Sequence, residues 1–104
     1  MFACQWHIEI PFGKQKEVLD LMKRWDEMMA KDPDAPKVKN QRVTVGHIGQ
    51  SPSHVINEYV VEHVADWEKF MNIVATGKYK SYSEDMAKYI TPGSQHWEIL
   101  RIVG

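Results

Sequence analysis

Hydrophobic positions recur at a period of two in four segments of the chain and near 3.6 in the segments between them. Residues 3–10 (ACQWHIEI) alternate, with Cys4, Trp6, Ile8 and Ile10 on one side and Gln5, His7 and Glu9 on the other, which predicts a strand. Pro11-Phe12-Gly13 is a break. Lys14–Lys31 then reads as a helix whose Val18, Leu21, Met22, Trp25, Met28 and Met29 form one apolar stripe. Asp32-Pro33-Asp34-Ala35-Pro36 ends it, because neither proline can continue a helix. Lys37–Gly49 and Ser53–His63 are rich in β-branched residues and predict an antiparallel hairpin turning at Gln50-Ser51-Pro52. Asp66 is placed to cap a second helix carrying Trp67, Phe70, Ile73 and Val74 inward. Gly77 interrupts it. Ser81–Ile90 resumes as a helical segment presenting Tyr82, Met86, Tyr89 and Ile90, with Ser81 and Glu84 fitting a capping box and Ser83 a rival cap. Pro92-Gly93 stops that segment, and Gln95–Val103 is the last strand.

The order β-α-β-β-α-β, with right-handed crossovers, predicts an α+β, ferredoxin-like domain over residues 1–104. Its four-stranded antiparallel sheet has strand order 4-1-3-2 and helices on one face. Two helices cover one face only. On the last two strands neither parity is plainly solvent-facing: Val55, Asn57, Tyr59 and Val61 oppose Ile56, Glu58, Val60 and Glu62, and Trp97, Ile99, Arg101 and Val103 oppose His96, Glu98, Leu100 and Ile102. Each face of such a sheet measures about 500 Å², large for an exposed apolar patch. A second copy packed face to face is the expected cover, so the chain is expected to be a homodimer.

Composition narrows the class. Thirteen Lys and Arg against 14 Asp and Glu leave a formal net charge of −1, unlike a nucleic-acid binder. Cys4 is the single cysteine, so no internal disulfide forms. No apolar run approaches the ~18 residues of a membrane span. Met1–Ile10 lacks the basic start of a signal peptide and is broken by Gln5, His7 and Glu9. The expectation is a cytoplasmic protein that engages neither nucleic acid nor membrane.

The order of elements, the Pro11–Gly13 turn into a helix and the Trp67–Phe70 start of the second helix together resemble the dimeric α+β barrel superfamily. The stretches IEIPFGKQKEVLDLMKRW and ADWEKFMNIVATGKYKSY carry the likeness. That group includes antibiotic-biosynthesis monooxygenases, heme-degrading monooxygenases, NIPSNAP-like proteins and stress-responsive A/B barrel proteins. The heme-degrading branch implies a cavity Asn seven residues before the turn glycine, an axial His in the second half of helix two, and a Trp nine residues before that His. Those positions fall here on Trp6, Ser83 and Val74, and no His occurs between Ala65 and Gln95. Heme degradation is therefore not expected, and neither is any other cofactor. The superfamily also holds cofactor-independent oxygenases, isomerases and cyclases, so the fold alone selects no reaction.

His7, His47, His54, His63 and His96 all fall on strands or strand ends. No HxH, HxxxH or HExxH spacing occurs, and ligation would need neighbouring strands to converge, so no metal is expected. His7 lies mid-strand between Gln5 and Glu9, with Glu58, His96 and Glu98 able to come beside it. It is the candidate general base, the bland reading being a polar cluster that orders an interface. The resemblance places Trp6 toward a cavity, whereas simple alternation puts it under the helices and leaves His7 inward. If the resemblance holds, Trp6, Asn57 and Tyr59 form a ligand site, an aromatic wall with one amide and one phenol. The same residues are otherwise ordinary core. Cys4 reads as a small buried residue, and Lys37, Lys39 and Arg42 as protection of an edge strand.

The sequence therefore points to a small cofactor-free enzyme or binder acting on an apolar, aromatic or polycyclic molecule by oxygenation, cyclisation or isomerisation. The competing expectation is a non-catalytic dimerisation or sensory module with a packed inner face. The two differ in whether a cavity of ~300 Å³ or more, with converging polar groups, remains open.

Overall fold

The computed structural model describes residues 1–104. Its elements are β1 (Phe2–Glu9), α1 (Gln15–Lys31), β2 (Lys39–Val45), β3 (His54–Val61), α2 (Val64–Val74), a 3-10 turn at Gly77–Tyr79, α3 (Lys80–Ala87) and β4 (His96–Arg101). The strands form one antiparallel sheet in the order β2-β3-β1-β4, the ferredoxin-like arrangement. No helix is long and apolar enough to cross a membrane.

Register decides what each face of the sheet contains. Cys4 pairs with Tyr59 and Ile99, Trp6 with Asn57 and Trp97, and Ile8 with Val55. Because side chains alternate along a strand, these residues share one face. There Ile8, Ile10 and Val55 meet Val18, Leu21 and Met22 of α1 and Met86 of α3 in the larger buried cluster. Cys4, Tyr59 and Val61 form a second cluster, against which Trp67, Phe70 and Trp97 pack. Each such aliphatic side chain, once buried, contributes roughly 1.5–3 kcal/mol, which is what holds the helices to the sheet.

Several local expectations are corrected. Helix α2 starts at Val64 with His63 as its cap residue, so Asp66 stands at the third position of the helix. From there its carboxylate accepts the His63 backbone N–H at 3.3 Å, serving the same unpaired amides from inside the first turn. Gly77 opens the 3-10 turn, after Thr76 Oγ1 has donated to the Ile73 carbonyl at 2.7 Å. Helix α3 follows directly, with Tyr79 at its cap and no side-chain cap from Ser81 or Ser83. The β2–β3 connection runs from Gly46 to Ser53, longer than the three-residue turn expected. Strand β2 carries an irregularity between Lys39 and Arg42, where Asn40 takes a φ of 51°, and beyond it Arg42 pairs with Glu58 and Val43 with Asn57.

The opposite face bears no helix and is more polar than the alternation suggested. It presents Gln5, His7 and Glu9 from β1, His54 and Glu58 from β3, Arg42 from β2, and His96 and Glu98 from β4, beside Ile56, Val60 and Leu100. These polar groups bond to one another. Gln5 Nε2 donates to Glu58 Oε1 and Arg42 Nε to Glu58 Oε2, both at 2.7 Å. His7, His54 and Glu58 are consequently buried within a single chain.

Candidate functional site

Between the sheet and its helices lies a cavity of about 1040 Å³. Bulky aromatics, rather than interlocking aliphatics, occupy the centre of the sheet face that lines it. Trp6, Tyr59 and Trp97 line it from the sheet, Trp25 and Met29 from α1, and Phe70 and Val74 from α2. Trp6 and Trp97 stack at 6.3 Å, while Tyr59, Trp67 and Phe70 meet Trp97 edge-on at 6.1, 5.7 and 6.4 Å. These are geometries that aromatic quadrupoles favour, so the wall is stiff as well as apolar.

One corner of the cavity is polar. Asp26 of α1 faces Asn57 of β3 and Gln41 of β2. Gln41 Nε2 donates to Asp26 Oδ2 at 2.7 Å and to Asn57 Oδ1 at 2.9 Å, and Asn57 Nδ2 donates to Asp26 Oδ1 at 3.1 Å. The two amides hold the carboxylate, yet its removal from water outweighs them and pushes its pKa above the ordinary aspartate value. Tyr59 keeps its hydroxyl buried and without a partner, and burial pushes that phenol upward too. A buried unpaired hydroxyl costs about 1–3 kcal/mol, a cost that a ligand acceptor would remove. Trp6 Nε1 is already engaged, donating to Gln95 Oε1 at 3.0 Å.

The rim is fixed by a second polar knot. Asp32, at the end of α1, accepts the Tyr79 hydroxyl, Lys78 Nζ at 3.0 Å and the Asp34 backbone N–H at 2.9 Å. The Tyr79 hydrogen bond leads the three in holding its carboxyl down to about 2. The knot ties the segment after α1 to the 3-10 turn.

Trp6, Asn57 and Tyr59 thus stand together on the cavity wall. Trp6 meets both conditions that had seemed opposed, since the cavity itself lies under the helices. His7 is on the other face of the sheet, where its neighbours are His54 and His96. Burial pushes the His7 pKa down, and Glu98 pulls it partly back. The sequence reading missed Asp26. The signal was available: Asp26 lies four residues after Met22 and three before Met29, a charged side chain on the inner stripe of the helix. The positions matched to the heme-degrading branch, Trp6, Val74 and Ser83, all line this cavity, and no lining residue is an imidazole. These residues do not supply the axial His that branch uses.

No protein-family model matches the sequence, and no curated protein matches it significantly. Solved structures do. A NIPSNAP family protein from Agrobacterium tumefaciens superposes with a TM-score of 0.73 at 19% identity, over 98% of this chain and 85% of that one. An antibiotic biosynthesis monooxygenase gives a TM-score of 0.72 at 13% identity over 100% of both chains. An uncharacterized NIPSNAP domain protein from Burkholderia xenovorans gives 0.72 at 10% identity over 99% of this chain and 95% of that one. At these identities the likeness is one of fold: the chain has the ferredoxin-like α+β fold of NIPSNAP and antibiotic biosynthesis monooxygenase-like proteins.

Proposed function

We propose that the chain binds a flat, largely apolar aromatic or polycyclic molecule in the cavity under its helices and acts on it by acid/base chemistry. Trp6, Asn57 and Tyr59 contact the ligand, and Asp26 takes the proton. The observation that carries this reading is the Asp26–Asn57–Gln41 corner, a desolvated carboxylate oriented by two amides at the edge of an apolar cavity. A carboxylate raised above its ordinary pKa is a better base for a phenol or an activated C–H. The Tyr59 hydroxyl and the Asn57 amide are donors suited to the anion left behind. Proton removal of this kind opens oxygenation, cyclisation and isomerisation alike, so the site supports that class of chemistry. The solved neighbour described as an antibiotic biosynthesis monooxygenase is consistent with it.

The active species in this proposal is a homodimer, with a second copy over the open sheet face. Leu100, Ile102 and Val103 remain exposed along β4 and its end, apolar surface that self-association would cover. Sedimentation equilibrium at micromolar concentration tests this, and a mass of one chain overturns it.

Calorimetric titration with 1-naphthol tests the cavity. Saturable binding of one naphthol per chain is expected, and Val74→Trp, which pushes a bulky ring from the wall into the cavity, should weaken it at least tenfold while the melting temperature stays within a few degrees. Binding unchanged in that variant, or no binding by the parent to naphthol, 2-naphthol and anthrone alike, refutes the site.

A further inference from the structure

On the sheet face opposite the cavity, register brings together histidines that are far apart in sequence. His7 pairs directly with His96, and their rings stack at 4.6 Å. His54 sits diagonally across on the other side, its Nε2 2.8 Å from His7 Nδ1. The hydrogen bonds fix the protons. Glu9 Oε1 lies 2.6 Å from His54 Nδ1, and a carboxylate only accepts, so His54 carries its proton on Nδ1. In the neutral ring His54 Nε2 then accepts from His7 Nδ1–H, which leaves a lone pair on His7 Nε2.

That lone pair faces two oxygens. Gln5 Oε1 is 3.0 Å away and Glu98 Oε2 is 3.2 Å away. Gln5 cannot turn its amide to donate, because its Nε2 is committed to Glu58 at 2.7 Å. Three contacts in the run Glu9–His54–His7–Glu98 need three protons, and two neutral imidazoles supply two. The third contact is met either by one added proton shared by the two imidazoles or by a cation seated at His7 Nε2.

His96 completes the pattern. Its Nδ1 lies 3.4 Å from the Ser94 carbonyl and its Nε2 3.0 Å from the same Glu98 oxygen. Both His7 and His96 thus turn Nδ1 toward an outer acceptor and Nε2 toward Glu98, as metal-ligating imidazoles do. The ligand atoms of His7, His96 and Glu98 all lie within 4.8 Å of one another. Two of their separations, 3.2 and 3.0 Å, come near the edge of about 3.3 Å of a tetrahedron with bonds near 2.05 Å.

We propose that His7 Nε2, His96 Nε2 and Glu98 form a binding site for a divalent transition-metal ion of the zinc type, with His54 and Glu9 as its outer support. Two imidazoles and one carboxylate are a ligand set for zinc with a fourth position left open. In the single chain His96 and Glu98 are half-exposed, so the ion reaches them before a second copy covers this face. The site shares no residue with the cavity, and its test is independent of the proposed chemistry there.

Zinc chloride is titrated calorimetrically into chelator-treated protein, and cobalt(II) absorption is recorded in parallel. One zinc per chain and a visible band of tetrahedral cobalt are expected. His96→Ala and Glu98→Gln, both on a half-exposed edge strand, should each weaken zinc at least tenfold. His54→Ala should weaken it about 10–100-fold through the outer support, and His47→Ala should leave it unchanged. Circular dichroism confirms that each variant is folded. No stoichiometric zinc, or zinc equally tight in His96→Ala and Glu98→Gln, overturns the proposal, as does zinc that depends on His47.

Discussion

The strain placed on Asp26 is measurable without knowing a ligand. Its carboxylate is pushed above the ordinary aspartate value because burial outweighs the hydrogen bonds from Asn57 and Gln41. A carboxyl whose folded pKa exceeds its unfolded one binds more protons in the native state across the window between the two. Stability from this group is therefore present below the unfolded value of 3.8 and is lost as pH rises through the folded value. Asp26→Asn removes the proton equilibrium. It also sets an amide donor against one of the two amides, an offset of about 1–3 kcal/mol that does not vary with pH. The slope, and not the offset, carries the prediction. The unfolding free energy of Asp26→Asn minus that of the parent should rise with pH above 3.8, by no more than about 1.4 kcal/mol per pH unit, and then level off. Urea denaturation at half-unit steps from pH 3.5 to 7, at constant ionic strength, measures it. All other carboxyls are common to both proteins and cancel. A flat difference means that Asp26 is solvated, and a falling one means that the amides win over burial; either refutes the reasoning behind the proposed base.

Tyr79→Phe removes the hydroxyl that leads in holding Asp32. Loss of this charge-assisted bond should cost about 1.5–3 kcal/mol and lower the melting temperature by roughly 10 °C. Asp32 stabilises the fold above its unfolded value of 3.8 and loses that role as pH falls toward about 2, so the variant should lose less stability than the parent over that interval. Cys4 is fully buried and its thiol is pushed up to about 11, so at pH 8 Ellman's reagent should react with it at least ~100-fold more slowly in native protein than in guanidinium. Equal rates would place Cys4 outside the core. At Gly46 a Cβ would stand 1.9 Å from the Ser51 carbonyl oxygen, backbone that cannot step aside without moving the β2–β3 connection. Gly46→Ala should destabilise by about 2–3 kcal/mol in urea melts, and a change below 0.5 kcal/mol would show that the connection is soft.

The legible part of the fold was the part written in local periods. Alternation from Cys4 to Ile10 and the stripe from Val18 to Met29 needed no knowledge of partners, and they located a strand and a helix to within a residue or two. Helix ends were less legible, because several residues near Asp66 and Ser81 can serve as caps and the choice between them depends on where the preceding strand or turn releases the chain. The sites lie further from the local pattern. His7, His54 and His96 have no motif spacing. They meet because β1 pairs His7 with His96 and Glu9 with His54, and those pairings join strands separated in sequence by whole helices, which no local pattern specifies.

The same register explains why one strand contributes to both candidate sites. Trp6 and His7 are neighbours in sequence, but alternation sends one into the aromatic cavity and the other into the histidine cluster. A slip of one residue in β1 would exchange the two faces, placing a polar triplet under the helices and four apolar side chains outside. The burial of Cys4, Ile8 and Ile10 opposes that slip, since each would lose its place in the core. The aliphatic positions of β1 thus hold Trp6 and His7 each to its own face, and the two chemistries stay separate.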